Sequence, residues 1–132
     1  MERVVITGMG IVSPLGNDVD TFWQGLKEGR SGISPIERFD VTDFSTKIAG
    51  QVRGFDGEGI FGRKEARKMD LFCQYALFAA EQAIQDADLN PELIDRERFG
   101  VYVGSGIGGI ETLADNVKVL ENRGPHRVSP SL

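Results

Sequence analysis

Phe99-Gly100-Val101-Tyr102-Val103-Gly104-Ser105-Gly106-Ile107-Gly108-Gly109 is the stretch that decides the fold class. An apolar run breaks into a glycine-rich turn, and a helical pattern follows over residues 110–120. The same grammar opens the chain, where Val4-Val5-Ile6-Thr7-Gly8-Met9-Gly10-Ile11-Val12-Ser13-Pro14-Leu15-Gly16 precedes another helical pattern. Continuously apolar strands that end in glycine turns before helices read as the buried parallel sheet of an α/β protein. Strands are expected over residues 3–7 and 99–103, each buried on both faces. Two strands cannot complete such a sheet, so the sequence reads as the opening of something larger.

Working outward, Asn17 or Asp18 is placed to cap a helix over Val19–Lys27, where Val19, Phe22, Trp23 and Leu26 recur at helical spacing. Residues 29–39 carry Gly29, Ser31, Gly32, Ser34 and Pro35 and read as a loop. A short strand is expected over residues 47–52. The strongest helical signal is residues 63–88. Met69, Phe72, Cys73, Ala76, Ala80, Ala83, Ile84 and Ala87 make one apolar stripe there, and the alanines allow close approach of a neighbour. Pro91 ends that segment. No repeat, low-complexity tract or linker interrupts residues 1–132, so no internal domain boundary is expected.

The 132 residues are 40% apolar, ordinary for a globular domain, and carry a formal charge of −5. That charge argues against nucleic acid or an anionic membrane as principal partner. One cysteine excludes an internal disulfide framework, and no apolar run approaches a membrane span. With no charged-then-apolar leader, the expected location is the cytoplasm.

Gly104-x-Gly106-x-x-Gly109 between a strand and a helix matches the form of a dinucleotide fingerprint. Glycines that let strand and helix pack tightly are the simpler reading, because no ribose-binding acid and no further βα unit follow at the expected distance. A nucleophile elbow fails, since Val103 and Ile107 stand where that motif requires glycine. Cys73 lies mid-helix on the apolar stripe, with no cation or helix N-terminus to stabilise a thiolate, and reads as a packing residue. One cysteine and one histidine supply no metal-ligand set, and no cofactor is implied. Arg63, Lys64, Arg67 and Lys68 concentrate four cations against Glu65 alone in an otherwise acidic chain. Lys64, Arg67 and Lys68 are spaced to share one face of the expected helix's first turns, where the helix dipole disfavours cations. Such a face is either simply solvated or a site for an acidic partner. Arg123, His126 and Arg127 form a second basic patch.

Residues 4–16, Arg63-Lys64-Glu65-Ala66-Arg67-Lys68-Met69-Asp70, Gly104-Ser105-Gly106-Ile107-Gly108-Gly109 and Gly124-Pro125-His126-Arg127-Val128-Ser129-Pro130 together resemble the N-terminal part of the 3-oxoacyl-[acyl-carrier-protein] synthase II family. The resemblance runs over all 132 residues, in order. It implies an α/β, thiolase-like fold of which this chain is an incomplete first half, and a homodimer in the full-length family. It also implies a decarboxylative Claisen condensation. A cysteine takes the acyl chain, and malonyl-carrier protein loses CO2 to give the attacking carbanion. Two histidines then stabilise developing negative charge. Cys73 and His126 match neither role, so no catalytic residue is assigned in this chain. In the family an aromatic residue commonly follows the Ser-Pro pair, and Ser131 stands there.

The resemblance further implies that Lys64, Arg67 and Lys68 face the acidic recognition helix of acyl-carrier protein, with His126 and Arg127 as a second contact. Ile107 matches the residue at the constriction of the acyl pocket. Two other readings are a non-catalytic chain-length partner subunit and an independent nucleotide-binding module.

Overall fold

Asp18 sets the first regular element. In the computed structural model, which describes residues 3–129, its carboxylate accepts hydrogen bonds from the Thr21 amide and hydroxyl, both at 2.7 Å. These two bonds hold the Asp18 carboxyl below the usual carboxylate range. Helix α1 follows over Val19–Lys27, with the expected bounds. It stops because Gly29 turns left-handed at φ 67°, so that the Arg30 amide reaches the Gly25 carbonyl and the Gly29 amide reaches that of Leu26.

The remaining elements are β1 (Ile33–Pro35), β2 (Ile48–Gly50), α2 (Gly57–Phe61), α3 (Arg63–Ala66), α4 (Leu71–Asp86), α5 (Ile110–Arg123) and one turn of 3-10 helix at Pro125–Arg127. The chain divides into two compact units. One comprises Met1–Phe55 with Leu77–Asp95, and the other Asp56–Ala76 with Arg96–Leu132. Helix α4 contributes residues to each.

In the first unit the glycine turn lies directly on the alanine stripe of α4. A Cβ on Gly10 would collide with the Ala79 carbonyl oxygen and stand 2.8 Å from Gln82 Cβ. One on Gly8 would collide with the Ala83 carbonyl oxygen and stand 2.8 Å from Ala87 Cβ. The expectation that glycines and alanines permit close packing holds here. Polar side chains of α4 then take up the turn's backbone groups. Gln82 accepts from the Ile11 amide and donates to the carbonyls of Ile11 and Asn17, and Asp86 accepts from the Met9 amide at 2.9 Å. An apolar cavity of about 730 Å3 lies between residues 8–11 and Val19, Asp20, Phe22 and Trp23 of α1.

Strands β1 and β2 pair antiparallel in the register Ile33↔Gly50, Ser34↔Ala49, Pro35↔Ile48. The expected strand over residues 47–52 thus forms at its centre. Its partner arises inside residues 29–39, which were expected to hold no element. Only three residues are needed, and Pro35, lacking an amide, stands at the strand's end, where the next amide, Ile36, donates to the Lys47 carbonyl at 2.9 Å.

Three further expectations are corrected. Residues 3–7 and 99–103 enter no ladder among the described residues. A strand exists only through its neighbours, and here Val4 is 93% and Tyr102 98% exposed. The helix over residues 63–88 is two helices, α3 and α4, separated at residues 67–70. Asp88 at φ 47° then ends α4 ahead of Pro91, with the Leu89 amide bonded to the Ile84 carbonyl and the Asp88 amide to that of Gln85. Helix α2, capped by Asp56 accepting from the Gly59 amide, had no counterpart in the sequence reading. Ser131 lies outside the described residues.

Candidate functional site: a basic turn and a glycine-flanked isoleucine

The six residues to which the resemblance gives a binding role, Lys64, Arg67, Lys68, Ile107, His126 and Arg127, fall in the second unit. Gly62, at φ 79°, closes α2 and opens α3, a conformation suited to glycine, so the two short helices pack on each other. Lys64 lies in α3. Arg67 is its C-cap, and Lys68 follows in the turn. The expected common face on the first turns of a long helix is therefore replaced by a cluster at the carboxyl end of a short one. A helix of one turn has too few aligned peptides for the dipole argument made from the sequence to apply.

Gln74 holds this turn. It is only 7% exposed, and its side-chain amide donates to the carbonyls of Ala66 at 2.9 Å and Met69 at 2.8 Å. The Ala66 carbonyl, which also accepts from the Met69 amide, and the Met69 carbonyl are thereby bonded from α4, and the helix breaks without glycine or proline. Arg67 pairs with Glu58 at 3.5 Å and Lys68 with Glu65 at 2.8 Å, all four side chains more than half exposed. Lys64 has no carboxylate partner among the described residues. With Arg63 and Arg67 it lines a shallow hollow of about 540 Å3. His126 and Arg127 sit in the 3-10 turn, exposed, and that turn packs against α5. Val128 lines a cavity with Leu113, Asn116, Val117 and Leu120, and the Ser129 amide donates to Asn116 Oδ1 at 2.8 Å.

Ile107 occupies the apex of a loop that closes on itself, the Gly108 amide donating to Ser105 Oγ at 2.9 Å. Gly108 has φ 73°, so the residue after Ile107 needs glycine's freedom. Ile107 is 75% exposed and lines a cavity of about 340 Å3 with Asp70, Phe72, Gly109, Ile110, Thr112 and Leu113. Asp70 was not singled out from the sequence. Its carboxylate accepts from the Thr112 hydroxyl and abuts Gly109, the N-cap of α5. A carboxylate thus already stands where the fingerprint reading would put a phosphate, which counts against nucleotide binding.

Cys73 is a partly buried free thiol on α4. Among the described residues no group of three or more His, Cys, Asp or Glu side chains is placed to hold a metal, and no helix is long and apolar enough to cross a membrane.

Comparison with known proteins places this geometry. The family model "Beta-ketoacyl synthase, N-terminal domain" matches residues 1–132. The chain is 50% identical over 129 residues to a Vibrio cholerae protein named 3-oxoacyl-[acyl-carrier-protein] synthase 2, covering 98% of this chain and 31% of that protein. It therefore spans about a third of the length of the curated relatives it matches. Among solved structures, a beta-ketoacyl synthase from Burkholderia phymatum aligns at TM-score 0.76 and 32% identity, over 99% of this chain and 33% of that one. A type II polyketide ketosynthase, solved with its acyl-carrier protein and bound to the hexaketide, aligns at TM-score 0.74 and 27% identity, over 99% of this chain and 34% of that one. The mixed α/β arrangement is that of part of a thiolase-like fold, as expected. By sequence over its full length and by fold, the chain belongs to the beta-ketoacyl synthase N-terminal domain family.

Proposed function

We propose that the chain is the N-terminal segment of a 3-oxoacyl-[acyl-carrier-protein] synthase, an acyltransferase of fatty-acid elongation. In that reaction a cysteine thiolate holds the acyl chain as a thioester. Malonyl-carrier protein loses CO2, its α-carbanion attacks the thioester carbonyl, a carbon–carbon bond forms and the thiolate leaves. Neither Cys73 nor His126 takes part. This segment supplies binding: Lys64, Arg67 and Lys68, with His126 and Arg127, meet acidic acyl-carrier protein, and Ile107 sets the width of the acyl pocket. Residues 1–132 are one part of the first thiolase-like domain. The whole enzyme is a cytoplasmic homodimer that needs no cofactor, nucleic acid or membrane.

The observation that carries this reading is the basic turn in an acidic chain, held in shape by a buried glutamine while its cations face solvent. Arg67 and Lys68 are already partnered by Glu58 and Glu65. Docking would therefore exchange one exposed ion pair for another, and each exchange is worth under about 1 kcal/mol. Several exchanges together give an interaction that is salt-sensitive and selective for an acidic surface.

In the complete enzyme carrying this segment, Lys64→Glu with Arg67→Glu should lower kcat/KM for carrier-bound substrates by roughly tenfold or more at low salt. Small thioester mimics without the carrier should be used as before. An equal fall for both substrate classes would make the basic turn structural, and no fall for either would make it merely solvated.

A further inference from the structure

Asp70 follows directly on the basic turn, and its backbone and side chain are committed in different directions. Its carbonyl accepts from the Gln74 amide at 3.1 Å, in the first turn of α4. Its carboxylate turns instead to α5. One oxygen accepts from the Thr112 hydroxyl, and the other lies so near Gly109 that a Cβ there would stand 2.9 Å from Asp70 Cγ and closer still to the oxygen. Gly109 is the N-cap of α5 and Thr112 lies in its first turn, which begins three residues after Ile107. The Leu113 amide bonds the Gly109 carbonyl at 2.9 Å, and the Ile110 amide bonds the Gly108 carbonyl at 3.0 Å. The carboxylate therefore grips the base of the Ile107 loop, and negative charge at a helix N-terminus adds to the grip.

Within itself the loop is closed by the bond from the Gly108 amide to Ser105 Oγ. A Cβ added at Gly104 or Gly106 would meet nothing within 4 Å, and one at Gly108 only the Phe72 ring, at 3.8 Å. Ile107 is largely exposed, yet it lines the same cavity as Asp70 and Phe72. A side chain between two glycines keeps a defined position only if the backbone on one side is held. Asp70 and Thr112 tie that backbone to α4, outside the loop's own Ser105–Gly108 bond.

We infer that Asp70, through Thr112 and Gly109, is a positioning residue for Ile107 and thereby sets how long an acyl chain the pocket accepts. The inference rests on the reading of Ile107 given under Proposed function. Asp70 touches no reacting atom. Releasing it leaves the condensation chemistry in place and lets Ile107 leave the constriction more often, so long acyl chains gain relative to short ones.

The test measures kcat/KM for long-chain against short-chain acyl-carrier protein in the complete enzyme carrying this segment. Asp70→Ala and Thr112→Val should each raise the long-to-short ratio by roughly tenfold. Thr112→Ser, which keeps the hydroxyl, should hold the parental ratio. In an Ile107→Gly background Asp70→Ala should change the ratio no further, because the side chain being positioned is gone. A uniform loss for both chain lengths, or the same ratio shift in the Ile107→Gly background, would overturn the inference. Amide hydrogen exchange separates it from the reading beneath it. Thr112→Val should speed exchange at Ile110 and Leu113, and unchanged exchange overturns the inference whatever Ile107 does. If exchange quickens but Ile107→Gly leaves the ratio untouched, the pocket assignment fails and the role in chain length falls with it.

Discussion

Asp88 holds a left-handed conformation at φ 47° so that two amides can close the end of α4. Any residue with a Cβ is strained there, aspartate less than most, and glycine not at all. Asp88→Gly should therefore raise stability by about 0.5 kcal/mol, and Asp88→Ala should lower it by about 1 kcal/mol, read as shifts of the urea midpoint. The polar residues of α4 that hold other segments in place were hidden from the sequence for a separate reason. Periodicity weighs apolar positions, and Gln74 and Gln82 register as gaps in a stripe although each satisfies carbonyls of another segment. An aspartate just before a helix reads as that helix's own cap, whereas Asp70 serves the next one.

Among the elements, α1 was legible to the residue because its cap, its stripe and its terminal glycine all agree. The break between α3 and α4 was not, since residues 63–88 contain no glycine or proline and the interruption is stabilised from outside by the Gln74 side chain. The consequence is electrostatic. Lys64 and Arg67 lie on and just after a single helical turn, where the sequence placed them at the repelling N-terminus of a long helix. Strand β1 was lost to its serine and proline, a fair signal for a loop that three paired residues suffice to override. The glycine turn on α4 offers a direct check. Gly10→Ala drives a methyl into the Ala79 carbonyl and should cost about 1–3 kcal/mol, whereas Gly104→Ala, with nothing within 4 Å, should be nearly neutral. Equal urea midpoints for the two variants would mean that the turn and α4 do not pack as described.

Across the whole molecule the burial is thin. Among the described residues the buried side chains are those of Ala66 and Gln74, while Val4, Ile6, Val101, Tyr102 and Val103 are strongly exposed. So much uncovered apolar surface predicts that the 132-residue chain binds a hydrophobic dye or self-associates, and melts over a broad range. A monodisperse monomer with a sharp cooperative melt would contradict this. The same chain, mixed with acyl- and malonyl-carrier protein, should release no CO2 above blank. The contact of Gly8 and Gly10 with Ala79 and Ala83 also fixes an order of events during synthesis. The turn leaves the ribosome well before α4 exists, and at roughly 5–20 residues per second it waits on the order of ten seconds for its partner. Throughout that interval Gly8 and Gly10 stand without the carbonyl and methyl surface of Ala79, Ala83 and Ala87 against them, so the turn settles only after synthesis has passed α4 and its close packing is a late step.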